Sequence, residues 1–445
     1  MTKKIIVIGN GGREHAICFA LFKSPQQPEI WNIATAINPG IKNLGVHIKL
    51  VDSLDDFNAL QTLIKKINAT LVIPGPEVIL AAGVTDVCNE MGIPCFGPTK
   101  ECAQLESSKS WTRNILRDNG VADACPDYLV SMNVNDSERK EFFIKWKGQI
   151  VVKADGLLGG KGVLVAGDHF ETFEEADAFA QKSIEKFGRV VLEEKLIGIE
   201  FSLLSVVDGE TVLDFRACQD HKRVGDGDTG PQTGGMGVIS DEQGSLPFLT
   251  KKDLELAHDI TVRSMKAVEK ETGEKFIGIM YGGFIATAKG VQLIEYNVRF
   301  GDPEALNILA TLETDFVVIC EAACSSDLKS ISQLEFTPIA TVQKYLCAPG
   351  YPDAPQKGVE MKLPAEWNHN HAEVFFAGAT EEDGQFISNG GRVLGIIGFG
   401  KDLQEANTYC EKIITKIESN LFYRTDIGSE TLTQQRIEMM KKLRS

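Results

Sequence analysis

The ten cysteines contain no CxxC pair and no paired-pair spacing, so neither a zinc site nor a dithiol redox motif is encoded. Cys88, Cys95 and Cys102 recur at regular intervals, but they span a predicted helix, a strand and a loop. They read as buried free thiols of a reducing, cytoplasmic compartment. His369 and His371 lack a carboxylate or cysteine partner at ligand spacing, so they read as a solvated loop. No apolar run approaches the ~20 residues of a membrane span. The first apolar stretch, Ile5 to Ile8, is too short for a signal-peptide core and runs into glycines, as a first β-strand would. Positive charge is scarce, with 46 basic against 62 acidic residues and a net charge of −16. That makes the chain a poor non-specific binder of nucleic acid or an anionic membrane, and leaves small anionic ligands open. Tandem repeats and low-complexity segments are lacking too.

Glycine is abundant, at 42 residues, against a background of roughly 7%, and it is clustered. The 445 residues suggest about three domains at roughly 150 residues each. Up to about residue 104, apolar strands alternate with helices. Ile5–Ile8, Glu29–Ala34, Leu71–Ile73 and Pro94–Phe96 read as strands, and His15–Phe22, Leu54–Asn68 and Ala82–Glu90 as helices. Each strand ends in a glycine or proline turn: GNGG, NPG, PGPE, GPT. This is the pattern of βαβ units, whose parallel sheet binds ligands beyond the carboxyl ends of its strands.

Beyond residue 105 the pattern changes to α+β. After a helix at Lys109–Asn119, strands Ile150–Lys153 and Val163–Ala166 flank a glycine-rich loop, and Val190–Glu194 ends in acids. Asp208-Gly209 is a strong hairpin signal between Phe201–Val207 and Thr211–Phe215. Residues 225–237 form a long glycine-rich stretch, Leu254–Thr272 a helix, and Gly278–Thr287 and Val291–Asn297 a pair around Lys289-Gly290. Pro338, Pro349, Pro352 and Pro355 mark a boundary before a last α+β unit with Glu373–Ala377, Arg392–Phe399 and a helix at Leu403–Glu418.

Five stretches carry chemistry. Gly9-Asn10-Gly11-Gly12-Arg13-Glu14-His15 follows the first strand. It departs from GxGxxG at Glu14, which disfavours a dinucleotide. What survives is an anion site of backbone N–H groups with Arg13, or a tight turn alone. Lys153-Ala154-Asp155-Gly156 through Gly162 joins two strands and is one residue short of a Walker A loop. A glycine-rich hairpin of this kind folds over nucleotide phosphates, with Lys153 and Lys161 supplying charge. Leu192 to Leu196, behind it, suits an adenine hinge or a plain edge strand. Gln219-Asp220-His221-Lys222-Arg223 with Thr233-Gly234-Gly235-Met236 sets cationic side chains beside a glycine loop, as a carboxylate or phosphate substrate requires. In Leu293 to Glu304, the residues Glu295, Asn297 and Arg299 share one strand face. A carboxylate and an amide oxygen are hard ligands for Mg²⁺, and Arg299 beyond them reaches a transferring phosphoryl group.

Together these stretches resemble an ATP-grasp carboxylate–amine ligase. Over nearly the whole chain the sequence is similar to the phosphoribosylamine–glycine ligase family, through GNGGREHA, PGPE, FGPT, LESSK, VVKADG, QDHKRVGDGDTGP, TGGMG, NVRFGDPE and FYRTDIG. The resemblance implies an N-terminal parallel βαβ (pre-ATP-grasp) domain over 1–104. A two-lobed ATP-grasp domain over 105–325 would have its smaller lobe at about 123–193, and a small C-terminal α+β domain would cover 326–445. It implies ATP-dependent ligation of glycine to 5-phosphoribosylamine through glycyl phosphate, with Mg²⁺ or Mn²⁺, in a cytoplasmic monomer or weak homodimer acting on small molecules only.

The site residues carried over are Lys109, Lys153, Gly156, Gly159, Gly160, Lys161, Gly162, Glu193, Glu194, Leu196 and Glu200 for ATP, and Glu295 and Asn297 for metal. Arg299, Lys153, Asp220 and Lys222 are the catalytic set. For the other substrates they are Gly11, Gly12, Arg13, Glu14, Asn38, Gly40, Pro76, Glu77, Asp220, Lys222, Thr233 to Met236, and Gly301, Asp302 and Pro303. The 5′-phosphate is expected on Gly11-Gly12-Arg13, with Glu77 on ribose hydroxyls. Departures are GLLGGKG for the usual GLAAGKG, GPQTGGMGVISD with Gln232 in place of asparagine, Asn38-Pro39-Gly40-Ile41 in place of PGNAGT, and LCAPGYP in place of ASGGYP. Tyr281-Gly282-Gly283 stands where many ATP-grasp enzymes have another metal carboxylate, so further ligands would come from ATP and water. Two other readings remain: another ATP-grasp ligase or purine carboxylase, and a nucleotide-sensing protein without catalysis. QDHKR with TGGMG opposes the first, and Glu295, Asn297 and Arg299 oppose the second.

Overall fold

The computed structural model describes residues 2–158, 162–368 and 370–445. The predicted phosphate-loop residues Gly159, Gly160 and Lys161, and His369, lie outside the described residues.

Four parallel strands open the chain, in the spatial order His47–Leu50, Glu29–Ala34, Lys4–Ile8, Leu71–Pro74. Within Lys4–Ile8, Ile5 to Ile8 is a run of apolar residues buried on both faces, as the inner strand of a parallel sheet must be. His47–Leu50 was not expected. It is a four-residue edge strand whose side chains are largely exposed, Leu50 included. The predicted Pro94–Phe96 strand is only a single bridge, Val72 to Cys95. The helix expected at Ala82–Glu90 begins earlier, at Glu77, and is broken by Gly83, whose φ of 99° leaves the helical region.

A second sheet is antiparallel, in the order Tyr128–Ser131, Val190–Glu194, Ile150–Ala154, Val163–Val165. Helix Phe173–Phe187 packs on it through Ala176, Ala180 and Ile184, and starts at a Thr172/Glu175 capping box, which contributes about 1 kcal/mol. Phe142, Ile150, Val152, Leu192 and these helix residues form their own core cluster, so this lobe is a separately packed body. Its larger counterpart is the sheet Val212–Asp214, Gly198–Val207, Gly278–Thr287, Gly290–Asn297, backed by helix Lys251–Thr272.

The C-terminal residues have a core of their own, with Leu346, Val374, Leu394 and Ile413, and their sheet extends into the middle of the chain. Gly237–Ser240, from the middle of the chain, pairs with Ala340–Cys347, which continues to Arg392–Gly400 and Ala372–Phe376. One hydrophobic core runs from Ile5 to Met440 beneath this sheet. The glycine-rich stretch expected as a loop holds a hairpin, Arg223–Gly225 against Thr229–Gln232. Its turn is made by Gly227 and Asp228, both at positive φ. A terminal helix, Glu430–Arg444, also went unforeseen. Among its residues only Leu432 and Met440 are buried, and ion pairs from Arg436 to Asp228 and from Arg444 to Asp253 dock it. The helix predicted over Leu403–Glu418 ends at Ile414.

Candidate active site

The cleft lies between the two antiparallel sheets and opens toward the carboxyl end of the parallel sheet. Its volume is about 750 Å³. Lys109, Lys153, Gly156, Gly162, Glu193, Glu194, Leu196 and Glu200 line it, together with Asp220, Lys222, Glu295, Asn297 and Arg299. Arg13, Glu77, Thr233, Gly234 and Asp302 complete the predicted residues on its wall.

Lys153 is held by two partners. Its Nζ lies 2.6 Å from Glu193 Oε2 and donates to the carbonyl of Ile294 at 3.2 Å. Arg113 uses the same two acceptors, at 2.6 Å to Glu193 Oε1 and 2.6 Å to Ile294 O. A bulge makes that carbonyl available. Gly283 pairs with Glu295 and Phe284 with Leu293, so Ile294 is an extra residue outside the ladder. Burial alone would raise the Glu193 carboxyl, but Arg113 and Lys153 outweigh it and bring it down to about 2. Both Glu193 oxygens are therefore spent on cations, and the residue positions Lys153. Asp155 of the same motif accepts from Ser108 and Ser110 and pairs with Arg189, which ties the start of the glycine loop to helix Lys109–Asp118.

Across the cleft, Glu295, Asn297 and Arg299 alternate with buried Tyr296 and Val298. Glu295 has neither hydrogen bond nor ion pair among the described residues, in a cleft whose other carboxylates are mostly engaged. That is the donor a hard cation needs, with the Asn297 amide oxygen beside it. No group of three His, Cys, Asp or Glu gathers at metal-binding distance among the described residues. Arg299 is clamped by Glu77 at 3.2 Å and Glu106 at 3.0 Å, and touches Asn297 Oδ1 at 3.3 Å.

The QDHKR segment places Asp220 on a buried edge. Its Oδ2 takes Lys222 Nζ at 3.1 Å, while its Oδ1 is buried without a partner among the described residues. Burial, helped by nearby Glu304 and opposed by Lys222, pushes this carboxyl up to about 7. His221 beside it has Nδ1 on the Gly237 carbonyl at 3.2 Å, and burial lowers it to about 4.

The N-terminal glycine turn differs from expectation. Glu14 folds back so that its Oε2 accepts the Gly11 N–H at 2.6 Å, and its Oε1 accepts Arg13 Nε at 2.7 Å. Asp302 Oδ2 lies about 3.5 Å from where a Cβ on Gly12 would stand. A phosphate dianion on this turn would meet two carboxylates, so the geometry favours hydroxyl or amine donors there. Asn38 spends its side chain on backbone groups of Asn10, Gly40, Ile41 and Phe376, and Gly40 packs flat against the His15 ring. Neither lines the cleft, and nor do Gly11, Gly12, Glu14, Pro76, Gly235, Met236, Gly301 or Pro303. These residues shape the wall from behind.

Sequence reasoning missed Arg392 and Arg436, which reach the cleft from the C-terminal sheet and the last helix. Neither sits in a motif. The one signal was the Gly390-Gly391 pair before Arg392.

Two antiparallel sheets closing on one cleft, with a lysine on the smaller and an acid–amide–arginine strand on the larger, define an ATP-grasp ligase. Models of phosphoribosylglycinamide synthetase match its N domain at 3–106, its ATP-grasp (A) domain at 107–305 and its C domain at 341–430. A phosphoribosylamine–glycine ligase of Methanosarcina barkeri is 40% identical over 99% of this chain and 100% of its own length. That of Methanocaldococcus jannaschii is 38% identical over 99% and 100%. The crystal structure of the Thermotoga maritima phosphoribosylamine–glycine ligase superposes with a TM-score of 0.80 at 31% identity, over 95% of this chain and 100% of that one. The chain belongs to the phosphoribosylglycinamide synthetase family, whose members are the phosphoribosylamine–glycine ligases.

Proposed function

We propose that this protein joins glycine to 5-phosphoribosylamine at the expense of ATP, through glycyl phosphate, giving glycinamide ribonucleotide, ADP and phosphate in purine biosynthesis. The observation that carries the reading is the convergence of Lys153, Lys222, Arg299 and the uncommitted Glu295 on one cleft. A carboxylate is a poor acyl donor until its oxygen becomes a leaving group. Lys153 and the 156–162 loop hold the ATP phosphates, with Lys109 beside them, and Glu194 and Leu196 form the hinge for the nucleoside. Glu295 and Asn297 hold a divalent cation, Mg²⁺ or Mn²⁺, which supplies neutralisation of phosphate charge when bound. Arg299, fixed by Glu77 and Glu106, meets the phosphoryl group in transfer. Lys222 takes the glycine carboxylate, and the free Asp220 Oδ1 accepts from its amine.

Phosphoribosylamine approaches from the N-terminal turn, with hydroxyls and amine toward Glu77 and Asp302. The free thiols of all ten cysteines fit a reducing cytoplasm. ADP release with glycine, phosphoribosylamine or the metal omitted in turn tests the reading. Release that persists without glycine, or that needs a different acid, overturns it.

A further inference from the structure

Arg392 opens strand Arg392–Gly400, yet its side chain does not follow that strand's usual alternation. Leu346 pairs with Leu394, but Cys347 pairs with Arg392, so Val393 is one residue too many. The bulge moves Arg392 from the Leu394 face to the face of Tyr345, whose ring its guanidinium covers at 4.6 Å. From there Nη1 donates to the carbonyls of Gly234 at 2.6 Å, Gly235 at 3.1 Å and Asp302 at 2.7 Å. Nη2 lies 3.2 Å from Asp302 Oδ1, which also accepts from Tyr345 Oη at 2.6 Å. A Cβ on Gly234 would press on the guanidinium at about 3.2 Å, and Gly235 holds a φ of 111° against Asp220. The two glycines of TGGMG are therefore fitted to this one arginine.

These contacts consume Asp302 Oδ1 and leave Oδ2 without a hydrogen bond among the described residues. Oδ2 faces the glycine turn of the first helix. We infer that Arg392 is a positioning residue of the amine substrate: it locks the TGGMG loop to the GDPE turn and so aims the free oxygen of Asp302 at a hydroxyl or amine donor of the phosphoribosyl compound. The inference rests on the function proposed above, and it gives the C-terminal sheet a task in catalysis. A lysine cannot replace the guanidinium, because its three donors do not form the planar fork that spans two loops and a carboxylate.

The test compares wild type, Arg392→Lys, Asp302→Asn and the double variant, with Tyr345→Phe as a second way to loosen Asp302. The readouts are the KM for phosphoribosylamine, affinity for glycinamide ribonucleotide by calorimetry, and glycine-dependent isotope exchange in ATP without the amine. Arg392→Lys should weaken both amine-side constants by roughly tenfold, the effect of one charge-assisted contact. ATP KM and isotope exchange should stay within about twofold, and the double variant should match the worse single one, as coupled residues do. Equal losses on the ATP side, unchanged amine-side constants, or losses that multiply would overturn the inference. If Arg392→Lys fails to fold, unchanged amine-side constants in Tyr345→Phe and Asp302→Asn overturn it, and a selective loss in both upholds it. A wild-type protein that consumes no phosphoribosylamine overturns both this inference and the proposed function. An active wild type with an indifferent Arg392→Lys overturns this one alone.

Discussion

Arg299, just beyond strand Gly290–Asn297, and Arg13, in the first helix, meet on one carboxylate: Nε of Arg299 lies 3.2 Å and Nη1 of Arg13 3.7 Å from Glu77 Oε2. Glu77 thereby joins the parallel sheet to the strand that would carry the metal ligands. Burial would raise its carboxyl, but Arg299 and then Arg13 outweigh that and hold it below the usual range. A carboxyl depressed in the fold contributes stability that is present above its unfolded pKa of about 4.3 and lost as pH falls through the folded value. Glu77→Gln should therefore melt below wild type at pH 7, with the gap closing as the pH drops to about 3. Glu106 still holds Arg299, so the variant should fold, with kcat reduced by roughly tenfold through a looser guanidinium. A constant gap in melting temperature across that range would refute the linkage.

Glu295 offers a cleaner separation of chemistry from stability. It makes no ion pair or hydrogen bond among the described residues, so Glu295→Gln removes charge and little else. The expected result is a melting temperature near wild type with kcat lowered by about a hundredfold or more, comparable to losing one preorganised charge contact. The Mg²⁺ concentration for half-maximal rate should rise. Unchanged Mg²⁺ dependence would count against the assignment.

The sequence already showed the alternation of Glu295, Asn297 and Arg299, because a strand's period of two is local. It also showed the parallel sheet, whose buried strands are apolar runs closed by glycine turns. What it hid depends on register. The bulges at Ile294 and Val393, which expose a carbonyl to Lys153 and turn Arg392 into the cleft, are defined only by pairing with distant strands. Glu193 reads equally as a nucleotide contact or a cation's partner until Arg113, eighty positions away, is seen beside it. The capping of Gly11 by Glu14 was legible in principle, since an acid three residues into a helix start is the capping pattern. A helix N-terminus with Arg13 beside it reads as a phosphate site just as readily. The strand that the middle of the chain lends to the C-terminal sheet was hidden for a related reason: Gly237–Ser240 and Ala340–Cys347 pair across a hundred residues.

Asp220 should impose a pH limb on the reaction. Burial pushes its carboxyl up to about 7, so the fold takes up a proton that the unfolded chain has already released. Its sign is opposite to that of Glu77. Stability falls as pH rises from the unfolded value toward the folded one, and is flat above it. The ionised form is the one that can pair with Lys222 and accept from an amine. kcat/KM for glycine should therefore rise with pH through about 7 and level off. Asp220→Asn should lose that limb and most of the rate. Relative to wild type, its melting temperature should improve on going from pH 5 to pH 8. A rate limb that survives in Asp220→Asn would assign the titration to another group.

Lys153 is the residue whose removal should separate ATP from the other substrates. Its ammonium has three donors, and Glu193 and the bulged Ile294 carbonyl occupy two. The third is available to a phosphate oxygen, and the two protein contacts fix its direction. Lys153→Met keeps the aliphatic stem packed and leaves Glu193 neutralised by Arg113, so no uncompensated carboxylate is buried. The fold should survive, because a buried carboxylate that keeps one cation partner is not left uncompensated. A charge-assisted hydrogen bond contributes about 1.5–3 kcal/mol, which corresponds to an ATP KM raised roughly ten- to a hundredfold. Glycine and phosphoribosylamine KM values should move by less than about twofold, because the contacts proposed for them lie on Asp220, Lys222 and the N-terminal turn. Steady-state kinetics with all three substrates varied would decide it. A rise confined to glycine would place the acid substrate, not the nucleotide, against Lys153.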